Sequence, residues 1–121
     1  MEQRKFPTES EIQSSFIEWI NLQHPKVAEV TAAIPNGGKR EARYGGRLKR
    51  EGLKKGFPDV GIFSPRGNHH GLFIEFKSRK GAVRREQAEV MGSLMKEGYL
   101  CEVCKSLEEA IMITNSYLNL L

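Results

Sequence analysis

From Thr8 the apolar positions recur with a helical period: Ile12, Phe16, Trp19 and Ile20 fall on one side of a turn-by-turn repeat. Thr8-Glu9-Ser10-Glu11 has the spacing of a capping box and predicts where that helix starts. Pro25 bounds it near His24. Val27 to Ile34 is rich in Val, Ala, Thr and Ile and reads as a strand, ended by the turn-forming Pro35-Asn36-Gly37-Gly38. Val60 to Phe63 and Leu72 to Lys77 are short apolar runs. The turn chemistry of residues 64–71 between them predicts an antiparallel hairpin with a long loop. Val83 to Glu97 reads as a helix with Val83, Val90, Leu94 and Met91 inward, stopped by Gly98. Leu100 to Cys104 reads as a strand. Ser106-Leu107-Glu108-Glu109 then repeats the capping-box spacing and opens a C-terminal helix. This order predicts one α/β unit over 1–121, with a mixed sheet: a hairpin in the middle and a crossover helix leading to the last strand.

Composition narrows the class. At 121 residues, with 39% hydrophobic and 28% charged positions, the chain has enough apolar material for one core and shows no bias toward disorder. No apolar run approaches the length of a membrane span. Met1 to Lys5 is polar and leads into no apolar stretch, so an intracellular, cytoplasmic chain is expected. Cys101 and Cys104 suit that setting as reduced thiols. With no second cysteine pair, and strand alternation sending them to opposite faces, they do not read as a zinc site. His69-His70 lies in a turn and reads as an exposed loop or a DNA contact.

Charge is uneven. Between Lys39 and Lys55 stand eight cations (Lys39, Arg40, Arg43, Arg47, Lys49, Arg50, Lys54, Lys55) against Glu41 and Glu51. That local excess of +6 exceeds the whole-chain +4, so the remainder is net negative. Part of the segment, about Glu41 to Glu51, reads as a helix closed by Gly52, although Gly45-Gly46 weakens it. Arg79-Lys80 and Arg84-Arg85 form a second cluster. Such patches suit phosphate backbones; a solvated helix face is the alternative.

The candidate chemistry lies on the hairpin. Asp59 is the single aspartate and follows the stiff Phe57-Pro58 at the mouth of a strand. Strand alternation puts Glu75 and Lys77 on one face, and matching the apolar faces of the two strands sets Asp59 opposite or diagonal to one of them. Two neighbouring carboxylates repel unless a cation sits between them, and Mg²⁺ needs only one or two protein carboxylates. The alternative is a charged row facing solvent.

Gly56-Phe57-Pro58-Asp59-Val60 followed by Leu72-Phe73-Ile74-Glu75-Phe76-Lys77 resembles the PD-(D/E)xK nuclease motif. The wider pattern resembles the virus-type replication-repair nuclease (VRR-NUC) branch in its stand-alone phage or bacterial form. It runs from Ile34-Pro35-Asn36-Gly37-Gly38 through the basic segment and Gln87 to Gly98-Tyr99 and Glu108-Glu109-Ala110. The resemblance implies the restriction-endonuclease-like αβββαβ core, with a mixed sheet flanked by helices. It implies Mg²⁺ or Mn²⁺ as the cofactor, with no organic cofactor and no membrane partner. Asp59, Glu75 and the backbone carbonyl of Phe76 would be metal ligands, Lys77 would assist the nucleophilic water, and Gln87 would position either. Glu11 has two readings, the capping box or the extra carboxylate of the first helix. Asn36, Gly37, the eight cations of 39–55, Arg79, Lys80, Arg84 and Arg85 would meet DNA. The implied activity is a homodimeric, structure-selective endonuclease acting on branched DNA as a Holliday-junction resolvase. A flap or duplex nuclease of the same fold, or a non-catalytic basic DNA-binding module, are the alternatives. The apolar C-terminal helix is expected to carry part of the dimer interface.

Overall fold

The computed structural model describes residues 6–35 and 45–121. Its elements, in chain order, are α1 (Glu9–Gln23), α2 (Pro25–Ala28), β1 (Thr31–Ala33), α3 (Gly45–Arg50), β2 (Val60–Ile62), β3 (Leu72–Phe76), α4 (Arg85–Lys96), β4 (Leu100–Cys104) and α5 (Leu107–Leu118). The sheet order is β1-β2-β3-β4. The first two pairings are antiparallel and β3 with β4 is parallel, so α4 is the crossover that parallel neighbours require. No helix among the described residues is long and apolar enough to cross a membrane.

The two faces of the sheet do different things. Val60, Ile62, Leu72, Ile74, Phe76 and Cys104 point to one side, against Ile12, Phe16 and Ile20 of α1 and Ala110 and Tyr117 of α5. Each of these large side chains is fully buried, a stabilisation on the order of 2 kcal/mol apiece. On the other side Met91 of α4 covers β4, with Cys101 Sγ donating to the Met91 carbonyl at 3.7 Å. There Phe73 is ringed by Phe57, Phe63 and Tyr99 at centroid distances of 5.2–6.1 Å. Register partners point to the same side, so Gly61, Phe73, Glu75 and Lys77 belong to this second face. The charged row therefore lies under α4 and its preceding loop. Among the described residues both Glu75 and Lys77 are buried.

Three local expectations change. The strand read from Val27 to Ile34 is only Thr31–Ala33. Pro25, whose missing N–H costs nothing in a first helical turn, starts α2 and draws Val27 and Ala28 into it. The basic helix is α3, Gly45–Arg50, with Gly52 at φ +106° beyond its end; residues 41–44 of the expected helix lie outside the described residues. Val83 is exposed and lies before α4. The Arg84 N–H donates to Gln87 Oε1 at 2.8 Å, which sets the helix start at Arg85 and leaves Met91 as its most buried apolar residue. The first capping box forms in full, Thr8 N–H to Glu11 Oε1 at 2.8 Å and Glu11 N–H to Thr8 Oγ1 at 3.1 Å. The second forms by half: Ser106 Oγ accepts from Glu109 N–H, while the Glu109 carboxylate accepts from Lys105 N–H.

Candidate active site

Asp59 is placed by what flanks it. Gly56 takes φ +95°, and a Cβ there would stand 2.8 Å from the Glu86 carbonyl oxygen, so only glycine lets this strand approach lie against the first turn of α4. Pro58 is buried and fixes the next step. The Asp59 carbonyl accepts from Ile34 N–H at 2.8 Å, and its Oδ2 accepts from Phe76 N–H at 2.8 Å. One step beyond the Val60–Ile74 pair, this brings Asp59 level with Glu75.

Glu75 is 2% exposed. Its Oε2 accepts from Gln87 Nε2 at 2.8 Å and lies 3.2 Å from Lys77 Nζ; its Oε1 is buried with no hydrogen-bond partner among the described residues. Burial, and next the nearby Asp59 carboxylate, push the Glu75 carboxyl up to about 7, against the pull of Lys77. Lys77 Nζ donates to Gln87 Oε1 at 2.8 Å, the atom that also accepts from Arg84 N–H. Gln87, from the first turn of α4, thus bridges Glu75 and Lys77, donating to one and accepting from the other.

These groups line a polar cleft of about 420 Å³, together with Glu9, Gly81, Ala82 and Arg84. The structure therefore brings together Asp59, Glu75, Lys77 and Gln87, four of the candidate positions read from the sequence. Phe76 buries its side chain in the core and gives its N–H to Asp59. The Glu11 carboxylate is the partner of Thr8 N–H, and the α1 carboxylate lining the cleft is Glu9, which the sequence reading missed. The signal was present: a capping box engages its fourth residue, leaving the acid two positions earlier to turn elsewhere. Glu9 Oε2 accepts weakly from Ser78 N–H at 3.4 Å and adds to the negative potential at Glu75.

The donor set suits a hard divalent cation. Two carboxylates stand side by side, one of them buried with an oxygen that no described group satisfies. Mg²⁺ takes oxygen ligands and keeps several waters, so it needs no full protein cage. Among the described residues no group of three or more His, Cys, Asp and Glu side chains is gathered into such a cage. His69 lies against Tyr117 of α5 and His70 against Tyr99, just before β4. Cys101 and Cys104 are free thiols on opposite faces, pushed by burial up to about 11 and about 12.

Of the expected DNA-contacting cations, Arg84 lines this cleft, and the others that are described stand in several states. Arg47 pairs with Glu51 at 3.1 Å, Lys55 with Glu86 at 3.6 Å and Arg85 with Glu89 at 3.1 Å. Exposed pairs like these are screened by solvent and leave their cations able to exchange a carboxylate for a phosphate. Arg79 lies 4.2 Å above the Phe6 ring. Lys49, Arg50, Lys54, Lys80 and Arg84 are exposed. Asn36, Gly37, Lys39, Arg40 and Arg43 lie outside the described residues.

Comparison with known proteins agrees with this geometry. The family model for the VRR-NUC domain matches residues 7–108. A solved structure described as a VRR_NUC domain protein superposes with a TM-score of 0.82 at 30% sequence identity, covering 94% of this chain and 90% of that one. No curated protein matches. The mixed sheet flanked by helices, the restriction-endonuclease-like arrangement of strands β1 to β4 and the extent of the match give one conclusion: the chain belongs to the VRR-NUC family and has its nuclease-type fold.

Proposed function

We propose that this chain is a Mg²⁺- or Mn²⁺-dependent, structure-selective DNA endonuclease that works as a homodimer, resolving Holliday junctions. One observation supports the metal-dependent hydrolysis: a carboxylate only 2% exposed, with one oxygen held by Lys77 and Gln87 and the other unsatisfied among the described residues, next to a second carboxylate. An unsatisfied buried acceptor costs roughly 1–3 kcal/mol, more when charged, which a bound cation offsets. Asp59 and Glu75, with the Phe76 carbonyl, are the residues that would hold the ion.

When bound, the ion supplies Lewis acidity at a phosphoryl oxygen and counter-charge for the transition state. The protein's own groups do the rest. Lys77, fixed by Glu75 and Gln87, presents an ammonium to the attacking water and orients its lone pair toward phosphorus. Gln87 keeps that ammonium from swinging away, since its amide is itself held by Glu75 and Arg84 N–H. One water adds to phosphorus and the P–O3′ bond breaks, leaving a 5′-phosphate and a 3′-hydroxyl. The cations of α3, of residues 54–55 and of 79–85 grip phosphates without reading bases, which suits recognition of DNA shape.

The dimer reading is supported by apolar surface on and after α5, where Met112 and Leu120 are exposed. Two sites related by a twofold axis match the two symmetry-related strands of a four-way junction. The test is cleavage of a panel of junction, flap, duplex and single-stranded DNAs by wild type and Asp59→Ala, with sedimentation of the free protein. Metal-dependent cutting of the junction by a dimer, lost in Asp59→Ala, is the expected result. Cutting confined to flaps or duplex would reassign the substrate; binding without cutting would leave a DNA-binding module.

A further inference from the structure

Phe63 is a half-exposed aromatic ring on the same sheet face as the cleft. The β1–β2 ladder runs one pair past each end of its strands: Ile34 N–H donates to the Asp59 carbonyl and Phe63 N–H to the Val30 carbonyl, each at 2.8 Å. Side chains alternate along that ladder, so Asp59, Gly61 and Phe63 share the second face, with Ala32 and Val30 beside Gly61 and Phe63 on the edge strand. Phe63 meets Phe73 of that face edge-on, with centroids 5.6 Å apart and planes at 90°. A Cβ at Gly61 would stand 2.8 Å from Phe63 Cε2 and Cζ, so the ring lies back along β2 over Gly61, on the side toward Asp59. From Gly61 to Asp59 is roughly 7 Å along the strand, about two nucleotide steps at about 3.4 Å each. Although Gly61 lies beneath it and Phe73 beside it, the ring is 46% exposed, and Val30 and Ala32 are exposed next to it. Edge strands ordinarily carry charge that discourages pairing; this face of β1 offers apolar side chains instead. A protein seated there would stand beside the approach to Asp59, whereas a nucleic acid strand that reaches Asp59 along β2 passes over Phe63.

From this we infer that Phe63 is a stacking platform for one nucleobase of the substrate strand, about two nucleotides from the scissile phosphate, and so a determinant of structural selectivity. Every base has a π face, so stacking on a fixed ring is indifferent to sequence. It is not indifferent to structure. A base inside continuous duplex has both faces covered by its neighbours, while a base at a branch point or in a single-stranded segment has one to give. The ring therefore adds affinity only where the stack is interrupted. The inference rests on the nuclease reading above, and its test separates the two.

The experiment measures DNA affinity without metal and cleavage with Mn²⁺, for wild type, Phe63→Ala and Phe63→Leu, on the panel substrate that wild type cuts and on an uninterrupted duplex of equal length. Phe63→Ala is expected to weaken binding of the cut substrate about 10-fold, the loss of one base–aromatic stack, and to leave duplex affinity within about twofold, since phosphate contacts carry it. Phe63→Leu keeps apolar bulk without a π face and is expected to lose nearly as much. An abasic site moved along the nucleotides beside the cut is the second arm. At one position it should cost wild type the same loss of about 10-fold and cost Phe63→Ala nothing further. Unchanged affinity of Phe63→Ala for the cut substrate, an equal loss on duplex, or abasic losses that add to the variant's at every position overturn the inference and leave the nuclease reading intact. So does a Phe63→Ala protein whose sedimentation shifts while its DNA affinity does not, which would make the patch a face between copies. Preferential cutting of uninterrupted duplex by wild type overturns it as well. Wild type that cuts no DNA overturns both.

Discussion

Glu75 makes the stability of the metal-free protein fall as pH rises through a defined window, and the effect has a calculable size. Its carboxyl moves from an ordinary 4.5 to about 7 in the fold, chiefly because burial penalises the charged form and next because Asp59 repels it. Between those two values the native state carries a proton that the unfolded chain has shed. The native state therefore binds more protons, and unfolding free energy decreases with rising pH. The full penalty is about 3 kcal/mol, reached once pH exceeds 7, and roughly 2–3 kcal/mol of it develops between pH 5 and pH 8. The assay is urea denaturation at those two pH values in EDTA, for wild type and Glu75→Gln. Other groups titrate as well, so the informative quantity is the difference between the two proteins in their pH 5 to pH 8 change. Wild type should lose roughly 2–3 kcal/mol more than the variant over the interval. Adding Mg²⁺ at pH 8 should restore wild type by ligand linkage and leave Glu75→Gln unmoved. Equal pH responses in the two proteins would refute the claim that Glu75 is a buried, electrostatically penalised carboxylate.

Gln87→Ala removes bonds to Glu75, Lys77 and the Arg84 N–H together. It should cost about 3 kcal/mol in denaturant unfolding, at 1–3 kcal/mol for each buried charged group left short of a partner, and slow cleavage about 100-fold by misplacing Lys77. Gly56→Ala puts a Cβ at 2.8 Å from the Glu86 carbonyl at a positive φ; a loss of about 1–3 kcal/mol and a cleavage defect from displaced Asp59 are expected, and unchanged values for both would contradict the placement. Under native conditions at pH 8 Cys101 should react with a thiol reagent two to three orders of magnitude more slowly than free cysteine, its thiol being raised to about 11. Cys104, fully buried, should react only on unfolding, as a reagent time course with and without denaturant will show.

The features legible in the sequence were those fixed by short-range rules. Thr8 and Glu11 announced the start of α1, and the period of Ile12, Phe16 and Ile20 announced its buried face. Alternation along Leu72 to Lys77 separated core from charged row, and the unique Asp59 before a strand drew attention to that row. What failed depended on tertiary contacts. Val27 and Ala28 carry no sign that Pro25 will start a new helical turn instead of leaving the chain extended. Val83 looked apolar enough to be inside α4, but the helix start was decided by the Gln87 side chain reaching back to the Arg84 N–H, a bond tied to Gln87's contacts with Glu75 and Lys77. The choice between Glu9 and Glu11 at the cleft turned on which carboxylate the cap engaged, a question of helix phase rather than composition. Burial of Glu75 and Lys77 is legible only indirectly, from a short hairpin set between helical segments that cover both its faces, because a Glu-x-Lys pair by itself reads as surface.

Metal-dependent hydrolysis at this cleft requires Asp59 and Glu75 together to form a seat for a doubly charged ion. Mn²⁺ titrated into EDTA-stripped, dialysed protein and followed by electron paramagnetic resonance measures this directly, since bound and free Mn²⁺ give distinct signals. A saturable Mn²⁺ site in wild type, absent in both Asp59→Asn and Glu75→Gln while their folds persist by circular dichroism, is the predicted result. Wild type that binds no Mn²⁺, or binding that survives in both variants, would contradict it.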